Sequence, residues 1–296
     1  MKKLVYVAGS GHSGTTMLGL ILAQHSKLVG LGEILQALQV TSEHSAFDEI
    51  RKRETPCSCG NTLDHCVFWA KVDAALKENK KGEYFERLQV VLQTIEELYG
   101  KDRRGVDTSK SLVPIGKMLQ NGMEVKVIHL IRDVRAYSIS YVDRSRVRRS
   151  RGLPVSRKKK GWLSEALMKH SAYYFLDWYS QNRKIQTFLR ANAVPTFQVG
   201  YEELCLYPSL MIEKICGFLE IPVEPGMLSL EGSSQSHIIR GNRMRYRSEK
   251  KQIRYDNRWF YRPDWVLPSI LFPHVMRFNR REVYKNTAGV LWEEKG

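Results

Sequence analysis

The stretch VYVAGSGHSGTTML at residues 5–18 constrains the fold of this chain more than any other. The apolar run Leu4–Ala8 predicts a buried strand, and Gly9, Ser10, Gly11 and Gly14 predict a tight turn after it. From Thr15 onward Met17, Leu18, Ile21 and Leu22 recur at helical spacing. A strand, a glycine loop and a helix in that order aim backbone N–H groups and the positive end of a helix at an anion. The Walker form of this loop needs G-x-x-x-x-G-K-[ST], with Lys on the β/γ-phosphates and the hydroxyl on Mg²⁺. Gly9 and Gly14 have that spacing, but Thr15 stands in the Lys position and Thr16 follows it. A triphosphatase would lose much of its charge stabilisation by this change.

The ending Ser13, Gly14, Thr15, Thr16 resembles the 5′-phosphosulfate loop of sulfotransferases that use 3′-phosphoadenosine-5′-phosphosulfate (PAPS). Those enzymes usually carry Lys or Arg before the Ser, where this chain has His12. The likeness extends to residues 125–141, VKVIHLIRDVRAYSISY, read as a second buried strand ending at Arg132, then a turn and a helix. The family holds the cofactor's 3′-phosphate with an Arg at a strand end and a Ser eight residues on, and Arg132 and Ser140 match both. A guanidinium grips phosphate bidentately and a hydroxyl adds a directional donor, so the pairing is chemically sound. Residues 199–220 resemble the family's strand–Y-E-D-L segment, with Tyr201 at the position that contacts adenine. The motif pattern is most similar to bacterial, tyrosylprotein-type and carbohydrate-type members.

The resemblance implies a P-loop-like α/β fold of three layers, a mainly parallel central sheet flanked by helices, in one domain over residues 1–296. Strands are expected at residues 4–8, 105–107, 125–130 and 195–199, with the ligand at their carboxyl ends. It also implies PAPS as sulfuryl donor, no metal, and Gly11, His12, Ser13, Gly14, Thr15 and Thr16 around its 5′ end. Arg240, Gly241, Asn242 and Arg243 lie where related enzymes carry a late basic loop over the 3′-phosphate.

In-line sulfuryl transfer needs a base, an anion clamp and a cation near the bridging oxygen. Glu33 is the candidate base: it lies 21 residues after His12, the separation seen in tyrosylprotein-type relatives, and Gly30 and Gly32 predict a turn back toward the loop. Lys110, in V-D-T-S-K-S, is the candidate cation, with a surface pair to Asp107 as the plain alternative. His12 would hydrogen-bond the sulfate at reduced charge, since an unperturbed imidazole is mostly neutral at pH 7. Asp107 is expected to cap its turn, and His25 and His129 to be structural.

Cys57, Cys59 and Cys66, with His65 adjacent, offer four metal ligands, but C-x-C spacing fits poorly to the usual C-x₂₋₄-C knuckle. The favoured reading is a loop of reduced thiols packed on Phe68 and Trp69. The formal net charge of +16 is concentrated, with nine Lys/Arg and no acid in residues 144–160. Without zinc-finger, helix-turn-helix or stacking-platform patterns, this points to an anionic cofactor and acceptor rather than nucleic acid. Expected partners are a glycan or small-molecule acceptor and an anionic surface or lipid headgroup. Lys2 and Lys3 directly before the first strand, and no apolar run of the ~18 residues that span a bilayer, lead to an expected cytoplasmic enzyme. A nucleotide kinase and a non-catalytic nucleotide- or polyanion-binding protein are the competing readings.

Overall fold

The computed structural model describes residues 4–38, 46–78, 82–153, 168, 170–229, 235–240 and 252–288. Five strands form one all-parallel sheet: β1 (Leu4–Ala8), β2 (Leu28–Gly32), β3 (Arg104–Lys110), β4 (Val125–Ile131) and β5 (Thr196–Gly200), in the order β2-β3-β1-β4-β5. Strand alternation divides β1 between two cores. Leu4, Tyr6 and Ala8 face the cluster with Trp69, Val91 and Ile115, and Val5 and Val7 face the cluster with Leu18, Ile21 and Ile215. The first cluster is covered by α4 (Val67–Glu78), α5 (Tyr84–Tyr99) and α6 (Leu112–Gln120). The second is covered by α1 (Thr15–Leu22) and α10 (Pro208–Leu219). The three-layer α/β arrangement expected from the sequence is therefore present.

A third cluster lies beyond β4, where α7 (Val134–Ser150) packs on α8 (Ser171–Ala191) and α12 (Pro273–Val283) around Tyr137, Trp178 and Phe278. The remaining α-helices among the described residues are α2 (Ile34–Ala37), α3 (Ala46–Lys52), α9 (Tyr201–Leu206) and α11 (Val266–Leu271). Among the described residues no helix is long and apolar enough to cross a membrane.

One expectation is corrected. Residues 28–32 do not turn back at their glycines; they form β2, paired in parallel with β3. The glycines serve close approach instead. A Cβ on Gly30 would lie 2.7 Å from Ala23 Cβ, and one on Gly32, whose φ is +71°, would lie 2.8 Å from the Arg240 carbonyl oxygen. The first admits the end of α1, and the second a strap, residues 235–240, laid along β2: Gly30 N donates to Gln235 O at 3.1 Å and His237 N to Gly30 O at 2.7 Å. Strand β3 also runs further than expected, to Lys110.

Where β5 ends, a Cβ on Gly200 would fall 1.9 Å from the Val283 carbonyl oxygen, backbone that cannot swing away. Gly200→Ala should therefore destabilise the protein by about 1–3 kcal/mol, as overpacking does. Thermal unfolding checks this, and a melting temperature equal to wild type would contradict the tight β5–α12 junction.

Candidate active site

All five strands deliver a candidate residue at their carboxyl ends. The glycine loop follows β1, Glu33 follows β2, Lys110 closes β3, Arg132 follows β4 and Tyr201 follows β5. This is the edge at which open parallel sheets bind ligands.

The loop keeps its shape through small residues. Gly14, with φ +91°, precedes α1 without any side-chain cap, so the first N–H groups of the helix remain for a ligand. Its missing Cβ makes room for Tyr201, whose ring carbon would otherwise lie at 2.5 Å. Gly11 likewise makes room for the Tyr141 hydroxyl, at 2.3 Å from the position of a Cβ. Ser10 and Ser13 are buried and bond each other through their hydroxyls at 2.8 Å. Thr15, in the Walker Lys position, is 1 % exposed, and its methyl lies 3.4 Å from where a Gly9 Cβ would be. Thr16 is half-buried.

His12 has φ +63°, unusual for a residue with a side chain. Its Nδ1 lies 2.8 Å from Ser140 Oγ and its Nε2 3.2 Å from an Arg144 guanidinium nitrogen. Arginine only donates, so Nε2 accepts and the ring proton sits on Nδ1, which donates to Ser140. Burial, then the charges of Arg144, Arg132, Lys110 and Arg258, lower its pKa from 6.5 to about 3. The imidazole is neutral at pH 7, and both ring nitrogens are engaged.

Arg132 is 6 % exposed and ties several segments together. One Nη donates to the His12 carbonyl at 2.9 Å, the other to Asp256 at 2.8 Å, and the guanidinium lies 4.8 Å from the centre of the Tyr201 ring. Burial raises the Asp256 pKa, but hydrogen bonds from Arg258 and Arg132 and their charges outweigh it, holding the carboxylate well below its usual range. The backbone behind Arg132 is locked. Trp178 Nε1 donates to its carbonyl at 2.9 Å, and the buried Asp133 carboxylate accepts from Arg135, Asn279 and Tyr284. Asp133 N donates in turn to Glu202, whose pKa burial and the Asp133 charge push up to about 8.

On the other side of the loop, Lys110 Nζ donates to Glu33 Oε1 at 2.5 Å. The second Glu33 oxygen accepts from Gln36, and Glu33 N donates to the Arg240 carbonyl at 3.4 Å. Lys110 has φ +70°, a strained twist at the β3 end where the register with β1 shifts. Its partner is therefore Glu33, not Asp107. Asp107 caps its turn as expected, accepting from Ser109 N at 2.8 Å and from the Ser109 hydroxyl at 2.5 Å. Burial lifts its pKa to about 7.

Glu33, Lys110, Gly11, His12, Ser13, Gly14, Thr15, Thr16, Arg132, Ser140 and Tyr201 thus gather at one edge. Arg240 does not bring its side chain there: the guanidinium pairs with Glu49 at 2.5 Å, and only its carbonyl reaches Glu33. Gly241, Asn242 and Arg243 lie outside the described residues. His129 and His25 are buried and bond Asn182 and the Pro222 carbonyl, as structural residues do. Arg144, Asp256 and Arg258 were not anticipated. Arg144 had a signal, four residues after Ser140 on one helix face; the other two reach Arg132 only through tertiary folding.

The sequence matches the profile of the Sulfotransferase family over residues 5–225, and the chain belongs to that family. Among solved structures it is similar to the sulfotransferase domain of the Synechococcus PCC 7002 olefin synthase (18 % identity, TM-score 0.51, 92 % of this chain and 94 % of that one). It is also similar to the sulfotransferase domain from the curacin biosynthetic pathway (18 % identity, TM-score 0.49, 86 % and 88 %). A comparison with curated proteins found no match.

The depressed His12 pKa carries a pH signature. Between pH 6.5 and about 3 the unfolded chain takes up a proton on this residue that the folded one refuses, so stability is full above that window and falls as the pH drops through it. The slope from one such group is at most about 1.4 kcal/mol per pH unit. Asn tolerates the left-handed backbone, so His12→Asn should flatten the acid limb of a denaturation–pH profile by up to this slope. An unchanged limb would show a titrating, protonated His12.

Proposed function

We propose that the protein transfers a sulfuryl group from PAPS to a hydroxyl or amine of an acceptor, a glycan, glycolipid or small metabolite. The observation that carries this reading is the meeting of two phosphate grips, the uncapped loop at Gly14 and the Arg132–Ser140 pair, beside the Glu33–Lys110 ion pair. The residues fit the donor. No side chain caps the N-terminus of α1 at Gly14, and Arg132 is held ready by an anion, Asp256, in the way a phosphate would hold it. Bound there, PAPS supplies an electrophilic sulfur with adenosine 3′,5′-bisphosphate as the leaving group.

In this reading the loop N–H groups bind the 5′-phosphate, and Arg132 and Ser140 exchange Asp256 and His12 for the 3′-phosphate. Tyr201 lies against adenine. The Glu33 carboxylate takes the acceptor's proton, and the Lys110 ammonium, released from Glu33, stabilises the charge growing on the departing phosphate. Positive charge at the loop comes from Arg144, Arg132 and Lys110, with His12 a neutral hydrogen-bonding member. Thr15, buried with its methyl toward Gly9, favours this over a Walker-type kinase, and a base paired to a lysine beside the loop favours catalysis over mere anion binding. The basic series on α7 suits an anionic acceptor or lipid headgroup.

Incubation with PAPS and an acceptor panel should yield adenosine 3′,5′-bisphosphate. At 100 times its dissociation constant that product should stabilise the protein by about 2.7 kcal/mol. Stabilisation by ATP–Mg²⁺ without any by the bisphosphate would refute the reading. Arg132→Ala should weaken bisphosphate binding by roughly 1.5–3 kcal/mol and leave adenosine 5′-phosphosulfate, which lacks the 3′-phosphate, nearly unaffected. Equal losses for both ligands would assign Arg132 a purely structural role.

Glu33→Gln should lower turnover by about 10²–10⁴-fold at nearly constant cofactor affinity, with partial recovery for a more acidic acceptor. Turnover within about threefold of wild type would remove Glu33 from the chemistry.

A further inference from the structure

The three clustered thiols meet an imidazole, but not the one beside them in sequence. His65 turns away and bonds Thr62 at 2.8 Å, while His237, from the strap along β2, points Nδ1 at the sulfurs. Cys57, Cys59, Cys66 and His237 offer four ligand atoms that all lie within 4.8 Å of one another. We propose that these four residues hold one structural zinc ion, a site independent of the sulfuryl-transfer reading.

The separations are those a tetrahedral ion sets. Zinc with sulfur at about 2.3 Å and nitrogen at about 2.0–2.1 Å requires S···S edges of about 3.8 Å and S···N edges of about 3.5 Å. The Cys57 and Cys66 sulfurs are 3.7 Å apart, and they stand 3.9 Å and 3.3 Å from His237 Nδ1. A disulfide would need about 2.05 Å and would leave the third thiol and the imidazole without a reason to converge.

The surroundings orient the ligands as an outer shell does. His237 Nε2 is bonded to the Tyr99 hydroxyl at 2.5 Å, which leaves Nδ1 to the sulfurs, and Trp69 Nε1 fixes the His237 carbonyl at 2.5 Å. The Phe68 ring stacks on the imidazole with centroids 5.1 Å apart. Cys57 N donates to Asn61 O and Gly60 N to Cys57 O, a tight turn that Gly60 permits with φ +91° and that compensates for the short C-x-C spacing. Three thiolates and one imidazole are a soft set suited to zinc. Four protein ligands close the coordination sphere, so the ion would staple two segments 171–180 residues apart and activate no water. The staple holds the strap whose Arg240 carbonyl accepts from Glu33 N.

The test is elemental analysis of the untagged protein, purified without chelator after expression in zinc-supplemented medium. About one zinc per chain is expected, released by titration with p-mercuribenzoate, and cobalt substitution should give the visible and near-ultraviolet bands of tetrahedral thiolate coordination. Cys59→Ser, at the least buried ligand, and His237→Ala should each weaken zinc affinity by at least the ~10–100-fold that losing an outer-shell partner costs, whereas His65→Ala should retain the metal. Wild-type protein with under about a tenth of a zinc per chain, a Cys57–Cys66 disulfide in its mass spectrum, or zinc lost from His65→Ala but kept by His237→Ala would each overturn the assignment.

Discussion

The arrangement of the site rests on one guanidinium. Arg132 bonds the carbonyl of His12 in the loop after β1, lies over Tyr201 at the end of β5 and pairs with Asp256 from the late chain, while Trp178 of α8 holds its own carbonyl. A planar cation with five fixed donors can serve so many partners at once, and a lysine could not. The left-handed turn at His12 and the placement of Tyr201 against Gly14 both depend on it. Any substitution there removes a structural clamp along with the proposed ligand grip, which is why a comparison of two ligands differing by one phosphate separates the roles.

The same crowding of cations explains a departure from the family pattern. Where relatives carry Lys or Arg in the loop, this chain has an imidazole kept neutral by burial and by Arg144, Arg132, Lys110 and Arg258 around it. A further permanent charge at that position would face four cations at low local dielectric. The positive potential is instead supplied from α7, the ends of β3 and β4, and residue 258. His12 contributes shape, bridging Ser140 and Arg144 and packing on Tyr141 at 4.5 Å. Positive charge is thus carried by the elements that surround the loop.

What could be read in the sequence was what short-range physics dictates. Strand β1 is a continuous apolar run buried on both faces, β4 is apolar but for Lys126 and His129, and the glycine loop announces the helix that follows it. Strand β2 escaped because its glycines read as a turn, when Gly30 admits Ala23 and Gly32 admits residues 238–240, contacts that local patterning cannot place. Glu33 was legible by spacing from His12, but its pairing with Lys110 depends on the neighbouring of β2 and β3. His65 was the natural fourth partner for the cysteines by proximity in sequence; the imidazole that faces them belongs to residue 237. Arg240 matched a basic loop by residue type, yet Glu49 of α3 holds its guanidinium.

Glu33 shows how these long-range packings fix a side chain in place. A candidate base on a loop would sample many positions, whereas this one begins α2 directly after a buried strand, with both oxygens and its N–H engaged. The N–H partner is the strap, and the strap can lie so close at Ile238–Arg240 only because position 32 lacks a side chain. A glycine that weakens β2 as a strand is thus the condition for holding residue 33 in place from behind. The strap is fastened in turn at His237, between Tyr99 and the cysteine sulfurs, so the backbone contact of Glu33 leads back to that cluster.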